Sequence, residues 1–259
     1  MTARDALREA ERRLIAAGLD TPRVDAELLV AHALGVSRTG LYADLDAPVD
    51  GLEPLLVRRE AREPLAYVLG EWGFRRLTLK TDARALVPRP ETEIVVERAL
   101  ALLAGSVAPR VLDIGVGSGA IALALVDELP DAHVVAVDVS TDALALAREN
   151  AERLGLRVEL REQGIDAAAE GWDLIVSNPP YVESLTGLQP ELGYEPERAL
   201  VGAGFHGRIA ELAQTRFLVL EVGDGQAAEV ARALEAAGYR DVRITPDLAG
   251  VDRVVEGAR

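Results

Sequence analysis

The chain has no cysteine, which excludes disulfides, thiolate metal sites and cysteine nucleophiles. Histidine is nearly as scarce: His32, His133 and His206 are scattered without ligand spacing, so no histidine metal site is expected. Long apolar runs are also missing. None approaches the ~20 residues a membrane span needs, and the charged start MTARDALREAERRL does not read as a signal peptide. A soluble, cytoplasmic protein without membrane contact is expected. Basic residues are few: 28 Lys and Arg stand against 43 Asp and Glu, a net charge of −15. A surface that grips phosphates usually carries a basic stripe. Arg75, Arg76 and Lys80 lie close enough for a local patch, but the chain as a whole repels nucleic acid, and no direct nucleic-acid binding is expected.

Apolar residues make up 49% of the 259, enough to bury one large α/β domain and a smaller one. The most informative stretch is WDLIVSNPPY, residues 172–181. A short buried strand (Leu174, Ile175, Val176) must stop at Pro179-Pro180, because neither proline can donate to a ladder. At the strand end Asn178 offers a side-chain carbonyl, Pro179 a backbone carbonyl, and Tyr181 a flat ring. Proline fixes φ, so these groups are held in place before a ligand arrives. Two acceptors at a rigid corner beside an aromatic face suit a planar –NH2 group, either an amide or an exocyclic amine.

The rest of the chain supplies a frame for that corner. Residues 1 to 68 read as three helices, with Thr21 as a cap, Pro22 at a first helical position and stops at Gly18 and Gly35. Alternation at Phe74, Leu77 and Leu79 predicts a β-hairpin linker over 69–85. In ALVPRPETEIVVERALALLAG, Glu91 and Glu93 fall in the first turn of a helix. From 110 to 127, RVLDIGVGSGAIALALVD runs strand, glycine loop, helix, with Asp113 closing the strand and Gly115-Val116-Gly117-Ser118-Gly119 forming the loop. Asp138 ends the next strand, nineteen positions after Gly119, where an acid is placed to accept both hydroxyls of a ribose. A nucleoside cofactor follows from that spacing; the alternative is Asp138 as a helix N-terminal cap. Counting strands, the glycine loop follows the first and Asn178 the fourth. In a doubly wound sheet these two flank the topological switch point, so they should face one crevice. Beyond it, Val182 to Arg216 reads as a long polar, substrate-facing loop. FLVLEVGDGQ adds a fifth strand, and DVRITPDLAGVDRVVEG a final pair.

Together PLAYVLGEWGF, LVPRPETE, VLDIGVGSGAIALAL, VAVDVS, DLIVSNPPYV, YEPERALVGA, LEVGDGQ and DLAGVDRVVEG resemble the PrmC/HemK family of class I S-adenosylmethionine-dependent methyltransferases. The resemblance covers nearly the whole chain. It implies a Rossmann-like α/β domain over 86–259, with the small helical domain as the platform for its protein substrate. It implies transfer of a methyl group to the glutamine side-chain nitrogen of peptide chain release factors, S-adenosylhomocysteine as product, no metal and a monomer. Asp113 and Gly115 to Gly119 would hold the methionine end of the cofactor and Asp138 its ribose; Asn178, Pro179, Pro180 and Tyr181 would hold the glutamine, with Asn178 also near the methyl donor. The family's adenine-holding acid has no clear match in REQGIDAAAEG, where Gln163, Glu162 and Asp166 are the candidates, and the helix before the fifth strand reads as trimmed. The alternatives are an N6-adenine methyltransferase, which the charge opposes, and a silent cofactor-binding module, which has no use for the amine receptor.

Overall fold

A computed structural model describes residues 1–182, 184 and 186–259. The chain forms two compact units: Met1–Glu71 with Leu188–Tyr194, and Trp72–Gly187 with Glu195–Arg259.

The first unit contains α1 (Ala3–Ala16), α2 (Pro22–Leu34), a 3-10 turn (Gly40–Ala43), α3 (Leu52–Glu60) and α4 (Leu65–Leu69). Ala3, Ala6, Ala10 and Leu14 bury one stripe of α1, at the three- and four-residue spacing of a helix face. Two expectations are corrected. The third helix is two, because Arg62 takes a positive φ of 69° and Pro64 cannot continue a hydrogen-bonded turn. Thr21 precedes α2, but its side chain caps no backbone N–H; the hydroxyl donates to Asp25 Oδ1 at 2.7 Å instead. Asp25 also accepts from Arg59 Nε at 2.7 Å, and both side chains are buried. Arg59 Nη1 reaches Glu191 at 3.1 Å and Arg62 Nη2 reaches the same carboxylate at 2.9 Å, which ties the 188–194 segment into this unit.

The second unit opens with the hairpin β1 (Glu71–Phe74) and β2 (Leu77–Lys80), whose Phe74, Leu77 and Leu79 join the main core. Then follow α5 (Thr92–Leu102), β3 (Arg110–Ile114), α6 (Ala120–Glu128), β4 (His133–Asp138), α7 (Thr141–Leu154), β5 (Glu159–Glu162) and β6 (Trp172–Ser177). After them come α8 (Glu197–Leu200), α9 (Phe205–Leu212), β7 (Thr215–Glu221), α10 (Ala227–Ala236), β8 (Arg240–Pro246) and β9 (Asp252–Ala258). Among the described residues seven strands form one sheet in the order β5-β4-β3-β6-β7-β9-β8, parallel except where β9 pairs antiparallel with β7 and β8. Successive strand residues point to opposite faces. Val111, Leu174 and Val176 enter the core shared with α5, α6 and the hairpin; Leu112, Ile114 and Ile175 enter the core shared with Ile209 of α9 and Val230 of α10. The α/β class and the place of the first and fourth strands, side by side at the switch point, are as expected.

The stretch after Tyr181 is more ordered than its composition suggested. It holds a 3-10 turn at Pro190–Tyr194 as well as α8 and α9, with Pro196 fixing the entry into α8. Its base is clipped by Val182 N–H to Leu200 O at 2.9 Å and Gly202 N–H to Val182 O at 3.0 Å. Among the described residues no helix is long and apolar enough to cross a membrane.

Arg59 is buried between two carboxylates, Asp25 and Glu191, so removing Asp25 leaves its guanidinium half-paired. Asp25→Ala should lower stability by about 1.5–3 kcal/mol, the scale of one lost charged hydrogen bond, read from urea unfolding followed by circular dichroism.

Candidate active site

Residues of β3 and β6 sit in parallel register, Val111 beside Leu174 and Ile114 beside Ser177, so both strands end at the same level. Ser177 Oγ locks the ends by donating to Ile114 O at 2.7 Å. Past these ends the glycine loop and the Asn-Pro-Pro-Tyr corner leave side by side. The direction a Cβ would take at Gly115 points toward Asn178 O, 4.0 Å away. Gly115, Gly117 and Gly119 all have positive φ, at 83°, 53° and 90°. At Gly119 a Cβ would also lie 2.9 Å from Leu123 Cδ1, so that buried side chain would have to shift.

Asp138 organises that loop. Its Oδ2 accepts from Gly117 N–H at 3.1 Å and its Oδ1 from Ser140 N–H at 2.8 Å. The α7 cap is Ser140, whose Oγ accepts from Ala143 N–H, and not Asp138. Each Asp138 oxygen keeps a further lone pair, enough for two vicinal hydroxyls. Asn150, wholly buried, binds Ser118 O at 2.9 Å and both backbone groups of Lys80, fastening the loop to the hairpin.

A cavity of about 530 Å³ opens here, a size common for small-molecule sites. Of the sequence candidates, Gly115, Val116, Gly117, Ser118, Asp138, Gln163, Asp166, Asn178, Pro179 and Pro180 line it. Asp113, Gly119, Tyr181 and Glu162 are not on its wall. Asp113 lies beneath the loop, 1% exposed, with Oδ2 taking Ala122 N–H at 3.1 Å and Oδ1 without a partner among the described residues. Burial pushes its carboxyl up to about 8, against the pull of the Ala122 N–H and with a push from Asp138. The Tyr181 ring packs on Gly223 and Gln226 Nε2 donates to its carbonyl at 3.0 Å. Burial and the nearby Glu221 raise the Tyr181 hydroxyl to about 12, so it stays protonated.

Several wall residues carry no sequence signal of their own. Thr92 accepts from Asn178 Nδ2 at 3.3 Å, and both residues line the cavity. Glu195, itself behind the wall, accepts from two wall residues, Val87 N–H at 3.0 Å and Arg89, so its buried carboxylate joins YEPERAL to LVPRPETE. Both strings were visible as motifs; that they touch was not. Val139 and Ile165 give apolar wall beside Gly164 and Asp166.

Residues 5–70 match the PrmC N-terminal domain family and residues 93–192 the methyltransferase small domain family. The hMettl16 catalytic domain, in complex with the MAT2A 3′UTR hairpin 6, aligns with a TM-score of 0.56 at 17% identity, covering 79% of this chain and 81% of that one, a likeness of fold. Parallel sheet, glycine loop and acid at the second strand end thus define a Rossmann-like methyltransferase. The chain is 42% identical to the release factor glutamine methyltransferase of Geobacter sulfurreducens over 93% of its length and 90% of the relative's. It is also 42% identical to that of Deinococcus radiodurans over 100% and 99%. It belongs to the release factor glutamine methyltransferase family.

Asp113 makes stability depend on pH with a definite sign. Its folded carboxyl titrates above the ordinary 3.8, so the contribution is full below that value and lost as pH rises through about 8. Thermal melts should therefore show the wild type losing ground to Asp113→Asn between pH 4 and 9; parallel curves would contradict a buried, protonated acid.

Proposed function

We propose that this protein transfers a methyl group from S-adenosylmethionine to the side-chain nitrogen of the glutamine in the Gly-Gly-Gln motif of peptide chain release factors. The observation that carries this reading is the state of Asn178. Its amide N–H is committed to Thr92, so its Oδ1 is free to accept, beside Pro179 and across from the glycine loop. Family membership over the full chain supports the substrate.

When bound, S-adenosylmethionine supplies a methyl group on an electrophilic sulfonium. The residues around the cavity suit the rest of that molecule. Asp138 offers a lone pair on each oxygen to the ribose hydroxyls, and the loop Gly115 to Gly119 gives unobstructed backbone for the methionine end. Val139 and Ile165 suit a flat base, with Asp166 as acceptor for its exocyclic amine and Gln163 tethering Asp166 at 3.2 Å. Asp113 acts from beneath, holding the start of α6 through Ala122 N–H.

An amide nitrogen is a poor nucleophile because its lone pair is delocalised. Asn178 Oδ1 and the Pro179 carbonyl accept its two N–H groups, localise density on nitrogen and aim it at the methyl group. Alignment of this kind supplies up to roughly 7–11 kcal/mol in favourable intramolecular cases. Acceptors aimed at developing positive charge work as an oxyanion hole with the signs reversed. The proton leaves to solvent after transfer. Pro180 and Tyr181 hold the corner rigid. The chain acts on its protein substrate as a monomer and without nucleic acid, a reading its charge of −15 supports.

Labelled S-adenosylmethionine with purified release factor should label the wild-type factor and not the same factor with its motif glutamine changed. Label on RNA or DNA instead would replace this reading with an adenine methyltransferase. Asn178→Ala should abolish turnover while cofactor affinity, followed by equilibrium dialysis, is largely kept.

A further inference from the structure

Four arginines line the cavity, and they divide into two kinds. Arg84 is paired with Asp82 and Glu149, each at 2.8 Å, and Arg89 with the buried Glu195. Arg198 of α8 and Arg208 of α9 are exposed and have no carboxylate partner among the described residues. Acids are close at hand in sequence: Glu197 and Glu211 sit on the same two helices. Neither pairs with the arginines, and neither lines the cavity. On α9, Phe205, Arg208, Ile209 and Leu212 recur at three- and four-residue spacing and all line the cavity, so one helix face is turned to it. The Arg208 guanidinium lies over Phe205, 5.8 Å from the ring centroid, which steadies it without neutralising it. Both helices are fastened to the Asn-Pro-Pro-Tyr corner. Val182, directly after Tyr181, pairs in parallel with Val201. Between α8 and α9, a Cβ on Gly202 would lie 2.8 Å from the Phe205 ring and 3.0 Å from Pro180 Cβ, so this turn packs on the corner. The two guanidiniums thus stand on the side of the cavity where the methyl acceptor is held.

We propose that Arg198 and Arg208 set substrate choice by receiving a carboxylate that the release factor carries close to its methylated glutamine. The inference rests on the function proposed above and adds a recognition element to it. A guanidinium presents five N–H donors in a planar fork that matches a carboxylate. S-adenosylmethionine brings a positively charged sulfonium to this cavity, and two uncompensated cations on its wall repel that charge. An anion arriving with the protein substrate offsets both. The rest of the surface sharpens the choice. With 43 acids against 28 bases it favours a basic partner, so a carboxylate on that partner is accepted only where these cations stand. The pairing fixes the register in which the glutamine loop enters. A nucleic acid fits less well, because its phosphates run on past the cavity over a chain of net charge −15.

The test measures methylation of purified release factor by the full chain, comparing the wild type with R198A, R208A and R198E/R208E. Each alanine variant should raise KM for the release factor about threefold to fivefold, the scale of one exposed charge pair. The double reversal should raise it about tenfold or more, since it sets like charges against each other. KM for S-adenosylmethionine should not move, and added salt should narrow the gap between the wild type and the alanine variants. Acidic residues of the release factor near the glutamine are then changed to lysine one at a time, and one of these should restore R198E/R208E. An unchanged release-factor KM in R198E/R208E overturns the proposal, as does the failure of every lysine to rescue it. A rise in KM for S-adenosylmethionine in place of the release factor assigns both arginines to the cofactor's own carboxylate and overturns it too. So does RNA that inhibits the wild type but not R198E/R208E, which points to phosphate. If R198E/R208E fails to fold by circular dichroism, the alanine variants decide, and a wild-type KM in both removes the carboxylate site. A wild type that labels no release factor removes the function proposed above and this inference with it; normal labelling with unmoved variants removes the inference alone.

Discussion

The parallel pairing of β3 with β6 is the constraint on which the site depends. Hydrogen bonds along two adjacent strands fix both ends at one level, and Ser177 Oγ on Ile114 O fastens the last rung. What leaves those ends has no choice but to face the same space: backbone stripped of side chains on one side, a rigid pair of acceptors on the other. In the function proposed above, the methyl donor and the amide nitrogen are brought together by the sheet itself. A slip of one residue would turn Asn178 to the opposite face, because successive side chains of a strand alternate.

Around this frame the chain spends buried charge on position. Glu195 grips both Val87 N–H and Arg89, so the segment before α5 and the one before α8 form one wall. Asp138 spends one lone pair of each oxygen on loop backbone and keeps the others. Asp113 and Glu221 are different, since each has an oxygen without a partner and each is driven by burial toward its neutral form. A protein with net charge −15 has ample surface for acids, so carboxyls kept 1% and 2% exposed are buried against a desolvation cost.

The sequence by itself determined the class of fold and the chemistry. Two prolines end a strand because they lack an N–H, three glycines permit positive φ, and an acid at the next strand end is placed as the proposed ribose contact requires; each is local and needs no knowledge of neighbours. That the first and fourth strands flank the switch point followed from the same patterns and a topological rule, and it held. Where local signals compete, the reading failed: Thr21 bonds Asp25 in place of the backbone, and Arg62 with Pro64 splits a stripe that looks like one helix. Only the tertiary structure decided which way side chains separated by long stretches of sequence meet. Thr92 and Asn178 are 86 positions apart, and Val87 and Glu195 are 108. No periodicity carries such pairs, because each joins segments far apart in sequence that meet only in the folded chain. Tyr181 makes the same point from the other side: its motif marks it for the substrate, and only the fold shows that its ring packs against Gly223.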